Sequence, residues 1–145
     1  MQTMRLYHGT ARRFREFSKL GVEPRFKTGA GILGHYLTES ESHVLAYARG
    51  RHGKVYTVDA SFEAMKVVPP RPSGLSEIDG MQLDYSEEDF EAYRENLIAD
   101  GYDSVCFETE DGYCEYVFLY DDQLRVVEWV PADKFQGTPQ AALAL

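Results

Sequence analysis

Apolar residues recur along this chain with two different spacings, and the switches between them outline its elements. Met4 to Tyr7 reads as a short first strand, ending in His8-Gly9-Thr10. Arg12 to Lys19 carries Phe14 and Phe17 three apart, the spacing of a short helical turn tucked on a core. Gly21 to Gly34 holds four glycines and a proline and reads as loop. His35 to Thr38 makes a second short strand. Glu41 to Arg49 reads as a helix, with Val44 and Ala48 four apart, Leu45 beside them and Ser40 as the N-cap. Gly53 to Asp59 alternates as a strand. Ala64 to Val68 is a weaker strand, stopped by Pro69-Pro70-Arg71-Pro72-Ser73-Gly74.

The clearest helix runs from Glu87 to Ala99. Ser86 and Asp89 give it a box-like start, Glu87 and Glu88 suit its positive end, and Gly101 ends it. Phe90, Tyr93 and Leu97 form its apolar stripe. Three strands follow, Asp103 to Phe107, Cys114 to Tyr120 and Leu124 to Val130. The middle one lies in a run of aromatic and β-branched residues that fits a buried strand. Val68 to Tyr85 carries no assigned element beyond its proline-rich stop, and no internal repeat is present. Strands at both ends with two helices between them predict an α+β chain on a mostly antiparallel sheet. Residues 1–130 read as a single domain, and residues 131–145 as a loosely attached C-terminal tail.

At 145 residues, 43% hydrophobic and 13% aromatic, the chain is large enough for one real core and too small for two. No apolar run approaches a bilayer span, and the start lacks the pattern of a signal peptide. The expectation is a cytoplasmic protein without a membrane partner, with delivery into another cell left open. Cys106 and Cys114 fall in consecutive strands and read as buried thiols in a reducing compartment. With no CxxC and no His/Cys cluster at metal spacing, no metal is expected. A net charge of −9 argues against stable, non-specific nucleic-acid binding. The basic residues nevertheless gather early, at Arg5, Arg12, Arg13, Arg15, Lys19, Arg25 and Lys27, while acids gather from Glu77 onward. A small phosphorylated ligand or an acidic partner surface therefore stays open.

Three short pieces set a polar residue among apolar ones. In Tyr7-His8-Gly9-Thr10 the glycine lacks a Cβ, which lets a ligand reach the backbone N–H and C=O. In Gly34-His35-Tyr36-Leu37-Thr38, Tyr36 lies on a strand and Tyr47 follows on the next helix with ten residues between them. The two rings are either core tyrosines or the walls of a slot for a flat heterocycle, each stack contributing on the order of 1 kcal/mol. In the late strand, Glu115 is either a solvated strand end or a carboxylate held in a cleft, since burying it unpaired costs several kcal/mol.

Taken together, His8-Gly9-Thr10, Tyr36, Tyr47 and Glu115 resemble the pattern of the diphtheria-toxin-like ADP-ribosyltransferases, the group that includes the poly(ADP-ribose) polymerases. Glu115-Tyr116-Val117, followed by Gln123-Leu124-Arg125-Val126, looks like the polymerases' Glu-Tyr-Ile strand with its later Gln-Val. It looks even more like the small ADP-ribosyltransferase domains of phage and mobile-element polyproteins, whose Gly-x-Tyr-Phe-Thr/Ala matches Gly34 to Thr38. The resemblance runs from Leu6 to about Val127, in family order. His35 departs from it, standing where the family usually has an apolar residue, and would change the polarity of the pocket.

The resemblance implies a split antiparallel β-sheet core with two flanking helices, and a reaction that breaks the nicotinamide–ribose bond of NAD as co-substrate, without a metal. It implies Glu115, His8 and Tyr36 as catalytic residues and His8, Gly9, Thr10, Tyr36 and Tyr47 as NAD-binding ones. Nicotinamide would lie between Tyr36 and Tyr47 with its carboxamide on Gly9, and His8 and Thr10 would hold the adenosine side. Arg12, Arg13 or Arg25 would meet the pyrophosphate. The arginine-modifying branch needs a Ser-Thr-Ser strand and a Glu or Gln two residues before its catalytic glutamate. Here Tyr113 stands in that place, and Glu108-Thr109-Glu110 reads as loop. The expected activity is therefore mono-ADP-ribosylation of a macromolecule, protein favoured, by a toxin, effector or phage modifier. An NAD glycohydrolase and a non-catalytic NAD or ADP-ribose binder are the alternatives, and an RNA 2′-phosphotransferase is disfavoured by the acidic charge.

Overall fold

The computed structural model describes residues 1–10, 29–48 and 53–135. Within them lie β1 (Gln2–Thr10), β2 (His35–Thr38), α1 (Glu41–Tyr47), β3 (Lys54–Phe62), β4 (Met65–Val68), α2 (Glu77–Asp84), α3 (Glu87–Ala99), β5 (Ser104–Glu108), β6 (Cys114–Phe118) and β7 (Leu124–Pro131). Short 3-10 turns occupy Gly29–Ile32, Asp121–Gln123 and Ala132–Lys134. The fold is α+β. Its strands form one seven-stranded sheet in the order β4-β5-β6-β2-β1-β3-β7. Every neighbouring pair is antiparallel except β4 with β5, which α2 and α3 connect as a crossover.

The sheet is almost divided in the middle. β1 pairs with β3 along its whole length, from Gln2↔Phe62 to Thr10↔Lys54, but meets β2 at Tyr7↔Thr38 alone. The two halves bend toward one another at that seam. Phe62 on β3 and Phe118 on β6 stand 6.5 Å apart between ring centroids although β1 and β2 lie between them in the sheet. In a flat sheet three strand spacings would separate them by roughly 14 Å. Leu6, Val58 and Leu124 from one half therefore share a core with Cys106, Tyr116 and Phe118 from the other.

Strand alternation sends Val105, Phe107 and Val117 to the opposite face, where α2 and α3 add Ile78, Met81, Phe90 and Leu97. α1 covers Tyr7 and Val55 with Val44 and Ala48. The α3 start is a full capping box of Ser86 and Asp89. Ser40 caps α1 by accepting from the His43 N–H, and the helix ends at Tyr47, two residues before the sequence-based limit at Arg49, which lies outside the described residues.

Among the described residues three α-helices are present where the sequence predicted two, because α2 falls in the unassigned stretch. Its signals are a Ser76 cap accepting from the Asp79 N–H and the buried pair Ile78 and Met81. Gly80 interrupts them. A Cβ there would come within 2.1 Å of Arg71 Cζ, and the Arg71 guanidinium donates to Glu77 and Asp84 across that bare surface.

β7 includes Pro131, and Phe135 packs edge-on against Tyr7 with centroids 5.1 Å apart. Residues 136–145, the expected turn over Arg12 to Lys19 and residues 21–28 of the expected loop lie outside the described residues. Among the described residues, no helix is long and apolar enough to cross a membrane. Cys106 is buried and Cys114 partly so, both as free thiols.

Candidate active site

Past Tyr7 the strands β1 and β2 part, and the His8 side chain stands between them. Its Nδ1 lies 3.0 Å from the Tyr36 carbonyl oxygen. A carbonyl only accepts, so Nδ1 is the donor in this bond. A cavity of about 260 Å³ opens at this seam. It brings together the six residues expected from the sequence, His8, Gly9, Thr10, Tyr36, Tyr47 and Glu115. Ala30 and Gly31 from the first 3-10 turn and Gln82 from α2 complete other parts of the wall.

Glu115 is the second residue of β6, paired with Thr38 on one side and Phe107 on the other, and only 6% exposed. Tyr47 on α1 donates its hydroxyl to Glu115 Oε1 at 3.2 Å. The carboxylate held in this way also lines the cavity. The Tyr47 ring is half-exposed, while its hydroxyl is tucked against the carboxylate. Burial and the charge of Glu115 push the phenols of Tyr36 and Tyr47 well above their usual range. Both are therefore neutral hydrogen-bond donors at any physiological pH. Tyr36 uses its hydroxyl on the Ala30 carbonyl, which ties the 3-10 turn to β2.

Gly9 lines the cavity, but its bare Cα serves first to admit a helix. A Cβ would lie 2.3 Å from the Val44 carbonyl oxygen and 2.9 Å from Val44 Cγ2. Gly9→Ala must push away α1, which carries Tyr47, and should destabilise the protein by about 1–3 kcal/mol in urea unfolding. His35, the departure from the family pattern, points elsewhere. Its buried ring bonds Asp121 and ties β2 to the turn before β7, and it is not among the cavity's lining residues. Glu108 closes β5, and Thr109 and Glu110 follow in the turn that Gly112 completes with a φ of 85°. Arg12, Arg13 and Arg25 lie outside the described residues.

Sequence reasoning missed two contributors besides Gln82. Arg94 on α3 reaches across to donate to the Leu33 carbonyl at 2.7 Å and the Leu119 carbonyl at 2.8 Å. His43 on α1 sits edge-on to Tyr47 at 5.1 Å, with its Nε2 3.9 Å from Glu115 Oε1. The available signal was its spacing, since His43 and Tyr47 lie four apart on one helix face.

The fold is similar to that of a chain in the M. tuberculosis MbcT–MbcA toxin–antitoxin complex. The likeness covers 89% of this chain and 84% of that one, with a TM-score of 0.50 and 12% sequence identity. It is a likeness of fold. No family model and no curated protein matches the sequence.

Proposed function

We propose that the protein is a mono-ADP-ribosyltransferase of the diphtheria-toxin-like kind, which splits the nicotinamide–ribose bond of NAD and passes ADP-ribose to a macromolecular acceptor, protein favoured. The observation that carries this reading is Glu115. It is a buried carboxylate on a central strand, held at one oxygen by Tyr47, in the wall of a cavity where the sheet divides. The donor set suits NAD as co-substrate. Tyr36 and Tyr47 offer aromatic faces for the nicotinamide ring, and the His8 imidazole lines the same cavity on the side expected to meet the ribose. Thr10 and the Gly9 backbone add polar groups on the same wall.

When bound, NAD would supply a bond whose breaking places positive charge on the ribose, as in glycoside hydrolysis. Glu115 would accept from the ribose 2′-OH and oppose that charge as it develops. A fixed carboxylate in a largely dry site stabilises the transition state more than the ground state. Tyr47 would hold the carboxylate in place, and Tyr36 would keep the nicotinamide wall attached to the Ala30 turn.

The likeness to a chain from a toxin–antitoxin complex supports a toxin or effector role and, with it, a protein partner. The test uses NAD labelled on its adenylate half, the purified protein and a cell lysate. Label on a macromolecule, with nicotinamide released in step, is the expected result. Free ADP-ribose alone would make the protein a glycohydrolase, and an intact NAD pool would overturn the enzymatic reading.

A further inference from the structure

We propose that a protonated His43 imidazole disables the Glu115 carboxylate by placing a positive charge beside it, so that His43 sets the acid limb of the reaction. The inference rests on the reading of Glu115 as the group that opposes positive charge on the ribose.

The geometry is a short relay that ends at the catalytic carboxylate. The Tyr113 hydroxyl lies 3.0 Å from His43 Nδ1, and His43 Nε2 lies 3.9 Å from Glu115 Oε1. In the neutral ring only one nitrogen carries a proton. Whichever nitrogen carries it, Nε2 lies beyond hydrogen-bond reach of Oε1, so the ring and the carboxylate interact through charge. The same Oε1 receives the Tyr47 hydroxyl. His43 and Tyr47, four apart on α1, therefore both approach Oε1.

Protonation changes the electrostatics more than the shape. Nδ1 then donates to the Tyr113 oxygen, and a full positive charge stands 3.9 Å from Oε1. That charge offsets the negative charge with which Glu115 would meet the ribose.

The groups facing His43 come from three other parts of the fold. They are Glu115 on β6, Tyr113 in the turn before it and Asp79 on α2, and Tyr47 faces it from its own helix. Glu115 first, and Asp79 to a lesser degree, favour the imidazolium and raise the His43 pKa above its ordinary value, against the opposing cost of burial. The Tyr113 phenol is itself pushed up by burial and by Glu115, so it stays a neutral partner throughout. By linkage, the stabilisation from the His43 pair is fully present below the unfolded histidine pKa of about 6.5 and is lost as pH rises through the higher folded value. The form that holds the protein together most firmly is thus the inactive one.

Two measurements on the full chain test this. The first is an NMR titration of the His43 ring in the wild type and in Glu115→Gln, which needs no turnover. The wild-type inflection should lie above the ordinary histidine value and fall in the variant. The second is the pH profile of kcat for NAD cleavage in the wild type, His43→Gln and Tyr113→Phe. Glutamine is of similar size and loses the titrating charge. Its acid limb should move toward acid, so that the ratio of kcat at pH 6 to kcat at pH 8 rises while KM is kept. Tyr113→Phe should move the limb by less. An inflection of His43 that ignores the Glu115 substitution, or an acid limb that stays in place in His43→Gln, would overturn the proposal while leaving the function intact. A wild type that cleaves no NAD at any pH would instead overturn the functional reading, and this inference with it.

Discussion

Glu115→Gln should bind NAD nearly as well as the wild type and turn it over about a thousandfold more slowly. The amide has the size and shape of the carboxylate, and its oxygen can still accept from the Tyr47 hydroxyl that now reaches Oε1. What disappears is the charge, and the charge matters only once the ribose becomes positive. The loss should therefore appear in kcat with KM nearly unchanged, the pattern of an interaction made in the transition state. Folding should be unaffected or slightly improved, because a buried carboxylate is costly to keep and an amide less so. Nicotinamide release, together with calorimetric NAD binding on the same preparation, checks both halves. A variant with unchanged turnover would remove Glu115 from the mechanism.

Arg94→Met should cost about 2–4 kcal/mol of stability, because two buried carbonyls lose a charged donor at once. Methionine preserves much of the apolar stem, so the loss isolates the guanidinium. The donor fork reaches the ends of two segments that no backbone ladder joins there, Leu33 just before β2 and Leu119 just after β6. Both residues are buried, so water is a poor substitute. The Leu33 end continues into the turn whose Ala30 carbonyl holds the Tyr36 hydroxyl. Loosening it should raise KM for NAD more than it lowers kcat. Urea unfolding and steady-state kinetics measure the two effects. Arg94→Lys should recover little, since one ammonium lacks the planar fork that spans both carbonyls. A stability change within about 0.5 kcal/mol for Arg94→Met would show the clamp to be unimportant.

The parts of this molecule that were legible in its sequence are those whose signal is local. The aromatic and β-branched run through Cys114 to Phe118 and the Ser86–Asp89 box each report an element without help from the rest of the chain. The candidate site was legible because its residues sit at element ends in a recognisable order, and the structure gathers His8, Gly9, Thr10, Tyr36, Tyr47 and Glu115 around one cavity.

What escaped depends on partners distant in sequence. Gly80 looks like a helix breaker until Arg71 is seen lying across it, and so α2 and its Gln82 were missed. Gly9 suggested ligand access, whereas the tightest neighbour of its bare Cα is the Val44 carbonyl of α1. His43 reads as a polar residue on a helix surface, because nothing near it hints at Glu115 and Tyr113 from the far end of the chain. His35 drew attention as an odd residue beside Tyr36, yet it sits at the start of β2, bonds Asp121 and is not among the residues lining the cavity. The seam itself, a single pair between β1 and β2, is a property of the assembled sheet.

On the proposed function this seam holds the nicotinamide end of NAD against Glu115. A crystal structure of Glu115→Gln grown with NAD tests this most directly, since that variant should bind the dinucleotide and leave it whole. The nicotinamide ring should lie between Tyr36 and Tyr47, the adjoining ribose 2′-OH within hydrogen-bond reach of residue 115, and the adenosine-side ribose on His8. NAD found elsewhere on the protein, or a seam that stays empty at saturating NAD, would contradict it.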